Sequence, residues 1–184
     1  MAIGVLALQG CVDPHIELFE RLGADARKVR RPDDLETIDR IVLPGGESTT
    51  MLTLLDKSGL GPALLDFGRT HPVWGICAGA ILIAREVEHP RQRSLGLIDI
   101  VAHRNHYGSQ TESFTADVTL DLFPGPMKVD FIRAPLLKPL SDKVTVHARH
   151  DGAAVLLRQG RVLASSFHAE LGEDTRLHRY FLDL

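Results

Sequence analysis

Midway along the chain, two apolar runs flank a turn framed by glycines: Val73-Trp74, then Gly75-Ile76-Cys77-Ala78-Gly79, then Ala80-Ile81-Leu82-Ile83-Ala84. This pattern predicts a strand, a tight turn and a helix, with the thiol on the turn. The glycines permit backbone angles that a Cβ resists. A strained strand-to-helix turn exposes its nucleophile and aims backbone N–H groups at the same spot. A thiol at a helix N-terminus also has its thiolate favoured by the helix dipole. Far downstream stands Phe167-His168-Ala169-Glu170. His168 is a candidate proton acceptor, and Glu170 a candidate to hold its tautomer. In an extended segment residues two apart project to one face, so both can line up on one target. A lone buried cysteine or core histidine is usually structural; the combination instead suggests a cysteine-dependent acyl-transfer site.

Around the elbow, strand-length runs alternate with helical stretches. Ile3 to Leu8 is a continuous apolar run, suited to a strand buried on both faces. Gln9-Gly10 turns the chain, and Asp13 reads as the N-cap of a helix with Pro14 at its first position. Ile16, Phe19 and Leu22 give that helix an apolar stripe, and Gly23 stops it. Strands are expected at 24–29 and 40–43, the latter ended by Pro44-Gly45-Gly46. Ser48 and Thr49 read as caps of a helix to about Lys57, followed by helical stretches at 62–68 and, after the 73–76 strand, 78–87. Such alternation predicts an α/β fold of three layers, a mostly parallel central sheet flanked by helices. Ligands in such sheets sit at the carboxyl ends of strands. Gln9-Gly10, Gly45-Gly46 and Cys77 all fall there.

The second half reads as additional antiparallel strands: 95–101, 114–120, 129–133, 144–148, 153–157 and 161–165, the last two joined as a hairpin by Gln159-Gly160, with Asp174 capping a final helix to Leu182. With 184 residues and no linker or low-complexity stretch, a single domain over 1–184 is expected. The net charge of −3 and 5% aromatic content argue against nucleic acid. No apolar stretch is long enough to span a bilayer, and two cysteines make no disulfide framework; a reducing, cytoplasmic setting fits these features. His103, His106, His147 and His150 form no recognised zinc motif and read as surface or packing residues. No metal or cofactor is expected.

The segments Leu43-Pro44-Gly45-Gly46-Glu47-Ser48-Thr49-Thr50 and Gly75-Ile76-Cys77-Ala78-Gly79, with the His168/Glu170 pair, resemble class I glutamine amidotransferases. Leu6-Ala7-Leu8-Gln9-Gly10, Arg104-Asn105-His106-Tyr107-Gly108-Ser109-Gln110, Phe131-Ile132-Arg133-Ala134-Pro135 and Ser166 to Leu171 narrow the resemblance to the glutaminase subunits of pyridoxal 5′-phosphate synthase. The chain departs from that pattern at Ala169, Gly172, Ser109 and Cys11, none of them a triad position. Cys11 itself reads as a packed small residue.

The resemblance implies hydrolysis of L-glutamine to glutamate and ammonia through a Cys77-His168-Glu170 triad and a thioester. It implies glutamine binding by Gly46, Glu47, Ser48, Arg104, Ile132 and Arg133. The oxyanion donors expected are backbone N–H groups of Ala78 and of the Gly45-Gly46 turn, since losing one such donor costs ~3 kcal/mol. It further implies a partner lyase subunit with a (β/α)8 barrel, in a complex of twelve plus twelve subunits. Docking would activate the glutaminase, with Gln9-Gly10 and Gly45-Gly46 as candidate switch. Two alternatives stay open here: the glutaminase of another biosynthetic complex, and a non-catalytic regulatory protein on the same fold.

Overall fold

A computed structural model describes residues 1–104 and 113–184. Asn105 to Gln110 of the Arg104 motif, and the departure at Ser109, lie outside the described residues. The order is β1 (Ala2–Leu6), α1 (Asp13–Arg21), β2 (Asp25–Val29), a 3-10 turn (Pro32–Thr37), β3 (Arg40–Leu43), α2 (Ser48–Ser58), α3 (Leu60–Gly68), β4 (Val73–Ile76) and α4 (Ala78–Ile83). Then follow β5 (Ala84–Glu88), β6 (Ile98–His103), β7 (Phe114–Thr119), β8 (Pro126–Phe131), β9 (Leu136–Pro139), β10 (Thr145–His150), β11 (Ala153–Gln159), β12 (Val162–Ser165) and α5 (Arg176–Leu182).

Ten strands form one sheet in the order β2-β1-β3-β4-β12-β11-β9-β6-β5, with β10 on β11. From β2 to β12 all neighbours are parallel. Beyond β12 the β11 and β9 pairings turn antiparallel, while the outermost pair, β5 with β6, is parallel again. A separate antiparallel pair, β7-β8, lies off the main sheet. The expected fold class is the observed one.

Alternation along the central strands builds a core on each face. Ile3, Val5, Val42 and Trp74 join Phe19, Leu177 and Phe181 of α1 and α5, with Phe131 and Phe167. Leu6, Ile41, Leu43 and Val73 join Met51, Leu55, Leu64 and Phe67 of α2 and α3. These two clusters are the outer layers meeting the sheet. Among the described residues no helix is long and apolar enough to cross a membrane.

Four local expectations are corrected. Asp13 is the first residue of α1, not its cap; Val12 holds the cap position without a side-chain bond. The cap of α2 is Glu47, not Ser48 or Thr49: its carboxylate accepts from the N–H groups of Thr49 and Thr50 at 3.1 and 2.7 Å. A carboxylate one residue earlier reaches the same orphan donors and adds charge that the helix dipole favours. The helix after the elbow ends at Ile83, and β5 begins at Ala84. Pairing of 84–88 with β6 overrides the helical reading; Arg85 and Glu86 are exposed while Ala84 and Val87 are buried. Thr175, not Asp174, precedes α5, although Asp174 accepts from the Arg176 N–H at 3.0 Å. Strand β9, bridging β6 and β11, had no expected counterpart.

Candidate active site

Three turns at the carboxyl ends of β1, β3 and β4 meet at a cavity of about 470 Å³. Its lining includes Gln9, Gly46, Glu47, Ser48, Cys77, Ala78, Arg104, Ile132, Arg133 and His168. A volume in this range suits a small metabolite.

Cys77 occupies the elbow with φ of +50°, a conformation that residues with a Cβ rarely adopt. The turn is held from beneath. The Cys77 N–H donates to Ser165 O at 2.8 Å, and a Cβ on Gly79 would collide with the Leu43 carbonyl. Close approach of α4 to β3 therefore requires glycine at 79. The thiol faces the Ile132 carbonyl at 3.7 Å. Ala78 is the first residue of α4, so its N–H has no acceptor within the helix.

His168 arrives from the stretch after β12. Its backbone pairs with Asp130 of β8, N–H to O at 2.8 Å and back at 3.3 Å. Below it, Phe167 packs edge-on against Phe131. The same pairing presents Ile132 and Arg133 to the cavity, Arg133 with φ of +44°. Gly45 lies so close beneath the imidazole that a Cβ there would run into His168 Cε1. His168 Nδ1 bonds Glu170 Oε1 at 2.7 Å. Burial works to lower the His168 pKa, but hydrogen bonds with Cys77 and Glu170 and their charges outweigh it and hold it up at about 10. For Glu170, burial works upward, while the His168 bond and the imidazole charges pull it down to about 2. The arrangement places a charged imidazolium between the sulfur of Cys77 and the carboxylate of Glu170.

The rim around Arg104 carries a polar cluster. Arg104 donates to Gln92 Oε1 at 2.8 Å and to Glu47 Oε1 at 3.3 Å. The Ser48 hydroxyl also donates to Gln92 Oε1, at 3.1 Å. Against burial, hydrogen bonds from Thr49 and Thr50 bring Glu47 down to about 2, so it is a carboxylate at all working pH. Gln92 was not singled out by sequence, and its Nε2 is buried without a hydrogen-bond partner among the described residues.

The turns after β1 and β3 are tied together. The Glu47 N–H donates to Gln9 Oε1 at 2.9 Å, and the Cys11 N–H to Gly45 O at 2.9 Å. Cys11 also borders the cavity. Burial and the neighbouring Glu170 push its thiol up to about 11.

Sequence reasoning missed two buried histidines behind the site, His15 of α1 and His178 of α5. The available signal was their position: each sits on the apolar stripe of its helix, beside Leu18 and Phe19 or Leu177 and Phe181. As for metal, the described residues bring one donor atom each of Glu88, His89 and His103 within 4.8 Å of one another, at the carboxyl ends of β5 and β6.

The profile of the SNO glutamine amidotransferase family matches residues 5–184. This chain belongs to that family. It is 48% identical over 184 residues to a protein of Koribacter versatilis named pyridoxal 5′-phosphate synthase subunit PdxT, covering 100% of this chain and 95% of that one. A protein of the same name from Thermus thermophilus is 48% identical over 186 residues, covering 99% and 96%. A crystal structure described as a glutamine amidotransferase superposes with a TM-score of 0.92 at 43% identity, covering 98% of this chain and 97% of that one. The chain is a glutamine amidotransferase-type enzyme, and the non-catalytic alternative falls away.

Proposed function

We propose that this glutamine amidotransferase hydrolyses L-glutamine to glutamate and ammonia and delivers the ammonia to a pyridoxal 5′-phosphate synthase. The observation that carries the reading is the meeting of Cys77 and His168 at one cavity, with Glu170 bonded to the imidazole behind it, in a chain whose relatives are named as subunits of that synthase.

Cys77 Sγ attacks the side-chain carboxamide carbon of glutamine. The oxyanion that forms is met by the N–H of Ala78 and by an N–H of the Gly45-Gly46 turn. His168 gives its proton to the departing nitrogen, ammonia leaves and a thioester remains. His168, now neutral, takes a proton from water; the hydroxide adds to the thioester carbon, and the C–S bond breaks to release glutamate. The thiolate and imidazolium are restored. Glu170 holds the imidazole by Nδ1 throughout. Arg104 and Glu47 offer a cation and an anion to the α-carboxylate and α-ammonium of glutamine, with Ser48, Gly46 and the backbone of Ile132 and Arg133 completing the contacts.

The partner in this reading is a lyase subunit with a (β/α)8 barrel, assembled as twelve glutaminases on twelve barrels in the reducing cytoplasm. The switch we favour is the pair of bonds between the Gln9-Gly10-Cys11 and Gly45-Gly46-Glu47 turns: docking breaks them and re-aims an oxyanion donor, so free glutamine is not wasted.

The test is ammonia release from glutamine with and without the synthase subunit, together with trapping by a glutamine-analogue electrophile. Partner-dependent release and a mass adduct on Cys77 support the reading. Equal rates with and without partner overturn the switch, and no adduct on Cys77 in the complex overturns the triad.

A further inference from the structure

Glu170 uses one oxygen on His168 and buries the other. Oε2 has no partner at hydrogen-bond geometry among the described residues, although the Cys11 thiol lies near enough to interact with the carboxylate, and it faces His15 Nε2, likewise unpartnered, at 3.7 Å. That separation is too long for a hydrogen bond and too short for an intervening water. Behind it, His15 Nδ1 lies 3.4 Å from His178 Nε2, while His178 Nδ1 has no partner among the described residues. Both imidazoles are fully buried. Phe19 and Trp74 pack against both rings, so neither histidine is free to swing elsewhere.

The direction of this chain is decided by the carboxylate at its end. A bare His15 Nε2 would set a lone pair against the lone pairs of Oε2, whereas an Nε2–H faces them favourably. With its proton on Nε2, His15 presents a bare Nδ1 to His178, whose Nε2–H then donates. The atom of this chain of contacts left unmatched among the described residues is His178 Nδ1, an acceptor. Every other atom from His178 to Glu170 Oε2 finds its complement with His15 and His178 both neutral.

We propose that His15 is a positioning residue for the proposed triad: its Nε2–H holds Glu170 Oε2 and so aims Oε1 at His168, while His178 holds His15 in that tautomer. Closure of less than 1 Å along the Nε2–Oε2 line completes the contact, a shift within side-chain reach. Burial lowers His15 to about 4 and His178 to about 3, so both are neutral donors at working pH. A neutral donor orients the carboxylate without cancelling the charge His168 depends on. The groups facing Glu170 are His168 on its own segment, Cys11 from the turn after β1 and His15 from α1; His178 also feels Arg21 and Asp174.

The catalytic part of this inference rests on the proposed glutaminase function; the tautomer part does not. The first measurement is therefore the 15N shifts of the histidine rings in the wild-type protein. A protonated Nε2 and bare Nδ1 on His15 support the proposal, and the opposite tautomer overturns it whatever the activity. The second compares glutaminase kinetics of His15→Leu and His15→Gln in the presence of the synthase subunit. Gln places an N–H near the position of Nε2; Leu fills the space without one. Leu is expected to lower kcat about 10- to 100-fold, as for other supporting hydrogen bonds, with KM for glutamine changed less than about two-fold. The acid limb of its kcat profile moves to higher pH, because Glu170 without the His15 N–H keeps a proton longer. Gln restores most of kcat and the original limb. A folded Leu variant with wild-type kcat and pH profile, or a Gln variant no better than Leu, overturns the role. If wild type itself releases no ammonia with its partner, the proposed function fails while the ring shifts still decide the tautomer.

Discussion

The turns after β1 and β4 each bring a cysteine to the same cavity, and their surroundings treat the two thiols in opposite ways. Cys77 sits at a strained elbow beside His168, whose imidazole is held in its charged form. Cys11 sits in relaxed backbone beside the carboxylate of Glu170, and burial with that negative charge keeps it a thiol with a pKa of about 11. The residue type is the same, but Cys77 is buried and Cys11 half-buried, and the charges beside them have opposite signs. Nucleophilicity here belongs to a site rather than to a residue.

The sharpest way to break this contrast is substitution at both turns. Cys77→Ala is expected to lower partner-stimulated ammonia release by about 10³-fold or more, whereas Cys11→Ala stays within a few-fold of wild type. Comparable losses at both positions would remove the distinction.

Gly45→Ala comes next. A methyl group there meets His168 Cε1, and displacing a catalytic imidazole by about 1 Å costs on the order of 10²-fold. The expected signature is a fall in kcat with little change in melting temperature, because the atoms nearest to that methyl all belong to the His168 ring. A fall in stability matching the fall in rate would instead mark Gly45 as a folding position.

The pH dependence of stability separates the carboxylate side of the site from the thiol side. His15 and His178 titrate near 4 and 3 in the folded chain against 6.5 when unfolded. Between pH 6.5 and about 4 the unfolded chain therefore binds more protons, and stability falls as pH falls, by up to about 2.7 kcal/mol per pH unit for two protons. His168, raised to about 10, works in the other direction: its contribution is present below 6.5 and is lost as pH rises through 10. Urea unfolding across pH 4 to 10 should show a maximum near neutrality, and His15→Leu should halve the acid-side slope. An unchanged slope would mean that His15 is not buried in neutral form.

The smallest effect is expected at the rim. Glu47→Gln keeps an acceptor for the N–H groups of Thr49 and Thr50 but loses the charge, at a cost of about 0.5–1 kcal/mol. It should also raise KM for glutamine more than it lowers kcat, since Arg104 loses its ionic partner without any change at Cys77. A kcat effect larger than the KM effect would place Glu47 in the chemistry.

Much of the parallel half was legible along the chain. Strand-length apolar runs such as 40–43 and 73–76 carry their own signal, because a strand buried on both faces has few polar residues to hide it. The elbow and the His168/Glu170 pair were legible for the same reason: each is a short local pattern. The end of α4 was not. Ala78 to Val87 has a run of helix-compatible residues, and only the availability of β6 as a parallel neighbour makes Ala84–Glu88 a strand. Strand β9 is four residues with Pro139 at its end, too short to announce itself without its two neighbours. The caps failed because Glu47, Ser48 and Asp13 all suit a helix start, and one residue of register decides which side chain reaches the orphan N–H groups.

Local order along the chain determined the elements of the parallel half, the turns at their ends and the residue types at the site, since each depends on neighbours a few positions away. Tertiary structure alone decided which distant groups share a charge environment. It brought Asp130 beside His168, Arg104 beside Glu47, and His15 and His178 behind Glu170. Those pairings follow from how three layers stack across one sheet, and the resulting burial and neighbouring charge separate Cys77 from Cys11.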